Sequence, residues 1–174
     1  VNIAKNFFGC MPVLNNVQLR KSKATNIEEV KIPGNGSTTL FHCDKNSPRF
    51  LKFFFYIDDV GLDNGPFTYV KGSHLNKFNG WRNKLRWTHQ EIELQYGQDK
   101  IKTFLGKPGD LIVANTNGFH KGMKITEGER LILVLFYNIH PTEWRPSPPW
   151  SGKIKKEVFE SLPDWKKPLT DYIN

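Results

Sequence analysis

The stretch Lys102–Tyr137, KTFLGKPGDLIVANTNGFHKGMKITEGERLILVLFY, decides the reading of the fold. Lys102 to Leu105 is a short extended segment, Leu111 to Ala114 is apolar, and Leu131 to Tyr137 is a continuous apolar run. Apolar runs of about four to eight residues bounded by turn signals have the length of strands, not helices. Lys107-Pro108-Gly109-Asp110 and Asn117-Gly118 supply the turns between them. Towards the N-terminus, Phe50 to Ile57 is a further strand dense in aromatic residues, and Pro33-Gly34-Asn35-Gly36 and Asp63-Asn64-Gly65-Pro66 are further turns. Short strands punctuated this closely predict a mainly β chain built as a sandwich or barrel.

Helices are expected only at the periphery. Thr88-His89-Gln90-Glu91 has the spacing of a capping box, with Ile92 and Tyr96 on one face of the helix it opens. Ile154, Val158 and Leu162 recur at fours and predict a C-terminal amphipathic helix with Lys155, Lys156 and Glu160 outward. His140 to Pro149 holds four prolines and Trp144, and is expected to lie as an extended flap. No internal repeat interrupts this order.

Composition narrows the classes. The chain has 174 residues, the size of one domain spanning 1–174. A domain of this size buries roughly 70% of the surface its unfolded chain exposes, so a metal is not needed to hold the fold and would be functional. With 38% hydrophobic and 13% aromatic residues, global disorder is excluded. The longest apolar runs fall well short of the ~20 residues of a membrane-spanning helix, so a soluble protein is expected. No secretory signal is present, and Val1 is not Met, so the natural N-terminus is expected to lie further upstream. Two cysteines, Cys10 and Cys43, make a poor disulfide framework, and a reducing cytoplasm is the expected compartment. The net charge of +8 suits an anionic ligand and serves solubility equally well.

Chemistry concentrates in a few residues. In an extended His42-Cys43-Asp44, His42 and Asp44 project to one face and Cys43 to the other. An imidazole and a carboxylate on one face can share an ion, and a second histidine would complete a 2-His-1-carboxylate triad suited to non-haem Fe(II) and oxygen chemistry. His120, between two apolar strands, is the best third ligand, and Arg130 follows it by ten residues at the start of the last strand. An arginine fork at the base of a pocket pairs in bidentate fashion with a carboxylate. Taken singly, His-x-Asp is a common polar strand end and Arg130 a common solvated strand terminus. The ordered set of His-x-Asp, distal His and Arg carries the signal.

These residues, together with Leu51 to Val60, Asp63 to His74 and Gly109-Asp110-Leu111-Ile112, resemble the phytanoyl-CoA dioxygenase family of Fe(II)/2-oxoglutarate oxygenases over about Val17 to Tyr137. The resemblance implies a double-stranded β-helix, a jelly-roll-like, cupin-like sandwich, in agreement with the strands and turns. It implies that His42, Asp44 and His120 hold Fe(II), that Arg130 binds the distal carboxylate of 2-oxoglutarate, and that O2 takes the remaining position. The implied reaction releases succinate and CO2 and hydroxylates an unactivated C-H bond of a small metabolite, anionic or carrier-linked. Asp44 favours hydroxylation over chlorination, because related halogenases carry a small residue at this place. The resemblance also implies a longer helical segment than the 41 residues before His42, so part of that segment is expected to be missing.

Lys52, Phe54 and Tyr56 share a parity, and by the same resemblance their face looks into the pocket, where Lys52 would help neutralise a bound carboxylate. His74, His89 and His140 are read as structural or surface residues, and Cys43 as a small apolar filler. Substrate choice is expected in Leu75 to Lys102 and in the flap. Two other readings stand beside the first. Cations interleaved with Trp81 and Trp87 would suit a nucleic-acid-modifying 2-oxoglutarate oxygenase, although the ten-residue gap from His120 to Arg130 disfavours it. A non-catalytic ligand-binding β-sandwich is the other, while a cupin-type enzyme lacks its paired His-x-His here.

Overall fold

The aromatic run Phe50–Tyr56 shows no polar–apolar alternation because it is buried on both faces. In the computed structural model, which describes residues 1–24, 39–46, 48–139, 154–155, 160 and 172–173, it is the second strand in an order of α-helices and strands that also holds a short 3-10 helix at Gln98–Lys100. These are α1 (Asn2–Phe8), β1 (Val13–Lys23), β2 (Phe50–Tyr56), β3 (Phe67–Val70), α2 (His89–Tyr96), β4 (Ile101–Phe104), β5 (Leu111–Ala114), β6 (His120–Gly122), β7 (Glu129–Asn138), β8 (Ile154–Lys155) and β9 (Tyr172–Ile173). One antiparallel sheet has the order β1-β7-β2-β5 and a second has the order β4-β3-β6.

The two sheets share a core. Phe54, Tyr56, Ala114, Ile132 and Val134 of the larger sheet pack with Phe67 and Tyr69 of the smaller one. The opposite face of the larger sheet, with Leu51, Phe53 and Tyr137, is covered by Ala4 and Phe8 of α1. On the far side of the smaller sheet, Val70, Ile101 and Phe119 meet Ile92 and Tyr96 of α2. The architecture is the expected mainly β, jelly-roll-like sandwich, with helices outside.

The strands expected at 50–57, 102–105, 111–114 and 131–137 are present, the third with the expected bounds and the others differing by one or two residues at their ends. The capping box is also present: Glu91 N–H donates to Thr88 Oγ1 at 3.3 Å, and Thr88 N–H donates to Glu91 Oε2 at 2.8 Å. The start of one helix needs correction. Ile154 and Lys155 pair in parallel with Tyr172 and Ile173, so strand pairing replaces the first turn of the helix expected from Ile154, Val158 and Leu162, while Glu160 is helical and exposed as expected. Val158, Leu162 and the expected flap at 140–149 lie outside the described residues. Among the described residues, no helix is long and apolar enough to cross a membrane.

Tyr56 ties the sheets together. Its hydroxyl donates to Phe104 O of β4 at 2.7 Å and accepts from Phe67 N–H of β3 at 3.1 Å. With the ring 1% exposed, removing the hydroxyl strands the buried N–H of Phe67 and frees the carbonyl of the more exposed Phe104. Tyr56→Phe is expected to lower the unfolding free energy by about 1–3 kcal/mol in urea titration and to leave divalent-ion binding unchanged.

Candidate metal centre

His42 and His120 are brought side by side by backbone pairing, not by side-chain affinity. Residues 41–42 extend the smaller sheet beyond β6, with His42 N–H donating to His120 O and His120 N–H to His42 O, both at 3.0 Å. Asp44 N–H donates to Thr116 O at 2.8 Å, which keeps the segment extended for two more residues. His42 and Asp44 therefore face inward together, while Cys43 packs outside against the cluster that includes Phe41 and Phe119. The potential ligand atoms of His42, Asp44 and His120 lie within 4.8 Å of one another.

Both imidazoles are oriented by a carbonyl. His42 Nδ1–H donates to Leu40 O at 2.9 Å and His120 Nδ1–H donates to Gly118 O at 3.0 Å. A carbonyl only accepts, so each ring is protonated at Nδ1 and keeps a lone pair at Nε2 for an ion. Burial pushes the His120 pKa down to about 3, against the pull of the Asp44 carboxylate. Burial also lowers His42. Two neutral imidazoles and one carboxylate fit a divalent transition ion in both number and chemistry.

Lys52 stands on the carboxylate of this set. Its Nζ is 2.7 Å from Asp44 Oδ2, the oxygen that also lies 3.4 Å from His120 Nε2. Burial would raise the Asp44 carboxyl, but His120 and the Lys52 ammonium hold it well below the usual carboxylate range. The parity expected for β2 holds: Lys52 pairs across β7 with Phe136, on the face that carries Phe54 and Tyr56.

Arg130 shares the inner face of β7 with Ile132, Val134 and Phe136, and is buried. One of its terminal nitrogens donates to Gly65 O, while its Nε is buried without a hydrogen-bond partner among the described residues. Gly65 is needed there. It holds φ 71°, and a Cβ would come within 2.6 Å of Met123 O and of the Ile125 side chain. The Asp63-Asn64-Gly65-Pro66 turn thus brings a backbone carbonyl onto the guanidinium that no other residue could present as closely.

The remaining histidines take modest places. His74 Nδ1 lies 3.3 Å from the Tyr69 hydroxyl, and His89 Nε2 lies 3.2 Å from Gln98 Oε1. His140 is outside the described residues. Trp81 and Trp87 pack edge-on against Phe119. Lys45, Lys77 and Arg82 approach the Trp81 ring to 5.4, 5.0 and 5.0 Å, so cations of the same chain crowd this indole.

Sequence reading passed over β1. Its register with β7 sets Asn16, Gln18, Arg20 and Ser22 opposite Phe136, Val134, Ile132 and Arg130, hence on the inner face. Alternation is present but inverted, with polar residues inward and Leu19 outward and 66% exposed. Polar side chains face inward here because they line a cavity of about 140 Å³ that also touches Asn46, Lys52, Val134 and Phe136.

A family model described as phytanoyl-CoA dioxygenase matches residues 2–131. A curated relative, the dioxygenase af480 of Aspergillus fumigatus, is 30% identical over 109 residues, which are 62% of this chain and 31% of the relative. Among solved structures, AviO1 from Streptomyces viridochromogenes Tue57 is similar with a TM-score of 0.54 at 16% identity, over 87% of this chain and 58% of its own. EctD from S. alaskensis, crystallised with 2-oxoglutarate and 5-hydroxyectoine, gives a TM-score of 0.54 at 20% identity, over 78% of this chain and 47% of its own. At these identities the likeness to solved structures is one of fold. The chain spans about a third of the curated relative and about half of these structural neighbours.

Proposed function

The chain belongs to the phytanoyl-CoA dioxygenase family, and from that membership we propose that it is an Fe(II)- and 2-oxoglutarate-dependent oxygenase that hydroxylates a C-H bond of a small metabolite. The observation that carries this reading is the convergence of His42, Asp44 and His120, with both Nδ1 atoms tied to carbonyls, which leaves the lone pairs of both Nε2 atoms for an ion. Fe(II) bound there, with 2-oxoglutarate and O2, supplies oxidative decarboxylation to succinate and CO2 coupled to substrate hydroxylation. The chain's own contribution is to hold and orient. Leu40 O and Gly118 O fix the rings, and Asp44 fills the position that a halide would need for chlorination. Arg130, with a buried unpartnered Nε, is the seat for the distal carboxylate of 2-oxoglutarate.

The packing of Trp81 and Trp87 against Phe119 favours a small molecule over a nucleic acid, because these rings serve the core instead of standing clear to stack on bases. Cys10 and Cys43 are free thiols, which supports a reducing cytoplasm as the place of work.

The test is spectroscopic. Anaerobic protein given Fe(II) and 2-oxoglutarate is expected to develop a weak metal-to-ligand charge-transfer band in the visible region, and His120→Ala to lose it. Absence of the band in the parent protein, or its survival in the variant, would overturn the assignment.

A further inference from the structure

Resting on the oxygenase reading, we propose that the inner face of β1 is a second anion subsite, where Arg20, steadied by Gln18, receives a carboxylate carried by the substrate. The register puts Arg20 opposite Ile132 and Ser22 opposite Arg130. Arg20 therefore sits two residues along the sheet from the level of Arg130, a displacement of about 7 Å at the rise of an antiparallel strand. The two arginines lie at different depths of one inner face, so each can hold its own carboxylate.

The walls have the right sign. Asn16, Gln18, Arg20, Asn46 and Lys52 supply the polar lining of the cavity, with Phe136 beside them, and no acidic side chain lines it among the described residues. Arg20 Nε donates to Gln18 Oε1 at 2.7 Å, which fixes the plane of the guanidinium and leaves its terminal nitrogens to a ligand. No carboxylate lies within ion-pair distance of Arg20 among the described residues. A planar fork of this kind matches a carboxylate in bidentate fashion. Gln18 and Arg20 are exposed, so solvent reaches the cavity at this end. Val134 and Phe136 give the other wall an apolar character, suited to the carbon skeleton of an organic acid.

The cavity also adjoins the metal centre. Lys52 belongs to both, lining the cavity and touching Asp44 Oδ2. A molecule anchored by its acid group on Arg20 thus presents its carbon skeleton on the side of His42, Asp44 and His120. The substrate class assigned is a small carboxylic acid, oxidised at a carbon away from its acid group.

The probe is a matched pair, 4,4,4-trifluorobutyrate and its amide, followed by fluorine NMR on Zn(II)-loaded full chain with saturating 2-oxoglutarate, which keeps the Arg130 site filled. The acid is expected to bind about tenfold or more tighter than the amide, the scale of one charge-assisted bidentate contact. Arg20→Gln is expected to abolish that preference while 2-oxoglutarate affinity stays within about twofold, and Arg20→Lys to restore part of it. Equal binding of acid and amide would overturn the proposal, as would an unchanged preference in Arg20→Gln. A loss of about tenfold or more in 2-oxoglutarate affinity would overturn it as well, by making Arg20 a cosubstrate residue. Failure of the charge-transfer band is read separately and counts against the oxygenase reading itself, whatever the fluorine result.

Discussion

Arg130→Leu is expected to weaken 2-oxoglutarate binding by about 100-fold or more, while the affinity of the His42, Asp44 and His120 set for a divalent ion stays within about twofold. Truncating one partner of a buried, hydrogen-bonded charge pair costs about 2–5 kcal/mol, because the other charge is left desolvated and alone. At 1.4 kcal/mol per decade this is roughly 30-fold to several thousandfold. Arg130 meets the conditions for the upper part of that range. Its residue is 8% exposed, its Nε has no partner among the described residues, and the carbonyl of Gly65 satisfies only one terminal nitrogen. Titration of the visible band measures the 2-oxoglutarate constant, and Mn(II) calorimetry without cosubstrate measures the ion. Arg130→Lys is expected to recover only part of the loss, since an ammonium restores the charge without the fork. Circular dichroism establishes that the leucine variant is folded. A folded variant with parental 2-oxoglutarate affinity would remove Arg130 from the site.

The strands that sequence reading found are announced by local sequence, although their residues range from buried to exposed. Leu111–Ala114 is a short apolar run closed by turns, and Leu131–Tyr137 is apolar throughout, so length and punctuation suffice. β1 escaped because its pattern is legible only once the cavity is known. With Asn16, Gln18 and Arg20 facing inward and Leu19 outward, the ordinary rule that apolar means inside gives no strand of the right sense. α1 escaped for another reason. Its seven residues are too few for local propensity to define, and it stands because Ala4 and Phe8 cover the outer face of β2 and β7. β3 and β6, four and three residues long, are held by cross-strand pairing that no local pattern announces.

Part of the candidate metal set was legible because period-two geometry is local. His42 and Asp44 share a face in any extended chain. The contact between His42 and His120 is not local, and what fixes it is the pair of backbone hydrogen bonds joining residues 41–42 to β6. The carbonyls of Leu40 and Gly118 that set the tautomers are equally invisible, since every residue has a carbonyl and only the fold decides which one an imidazole meets. The same holds for Lys52. Its parity placed it on the inner face, but its contact with Asp44, eight residues away, is one that only the fold brings about.

That position gives the last prediction its form, because an ion held by Asp44 would compete with Lys52 for the same oxygen. The Lys52–Asp44 pair is 2.7 Å long, with side chains 14% and 19% exposed. Asp44→Ala removes the one anionic ligand of the set and leaves the ammonium facing the ion. Unit charges about 4 Å apart interact by about 4 kcal/mol at an effective dielectric of ~20, so divalent-ion affinity is expected to fall by about 1,000-fold or more. Lys52→Met works in the other direction. The carboxylate then has no cation of its own, so the ion-free protein is expected to melt at a lower temperature while Mn(II) binds about tenfold tighter. Binding to the folded state alone returns that gain as added stability at saturating ion. Cosubstrate titration then separates two roles for the lysine. If 2-oxoglutarate affinity also falls in Lys52→Met, the ammonium released from Asp44 when the ion binds goes on to meet a carboxylate. If it is unchanged, Lys52 acts only as the counter-ion of the ion-free site. A Lys52→Met variant that binds Mn(II) more weakly than the parent, measured without 2-oxoglutarate, would show that the lysine supports the ligand set instead of competing for it.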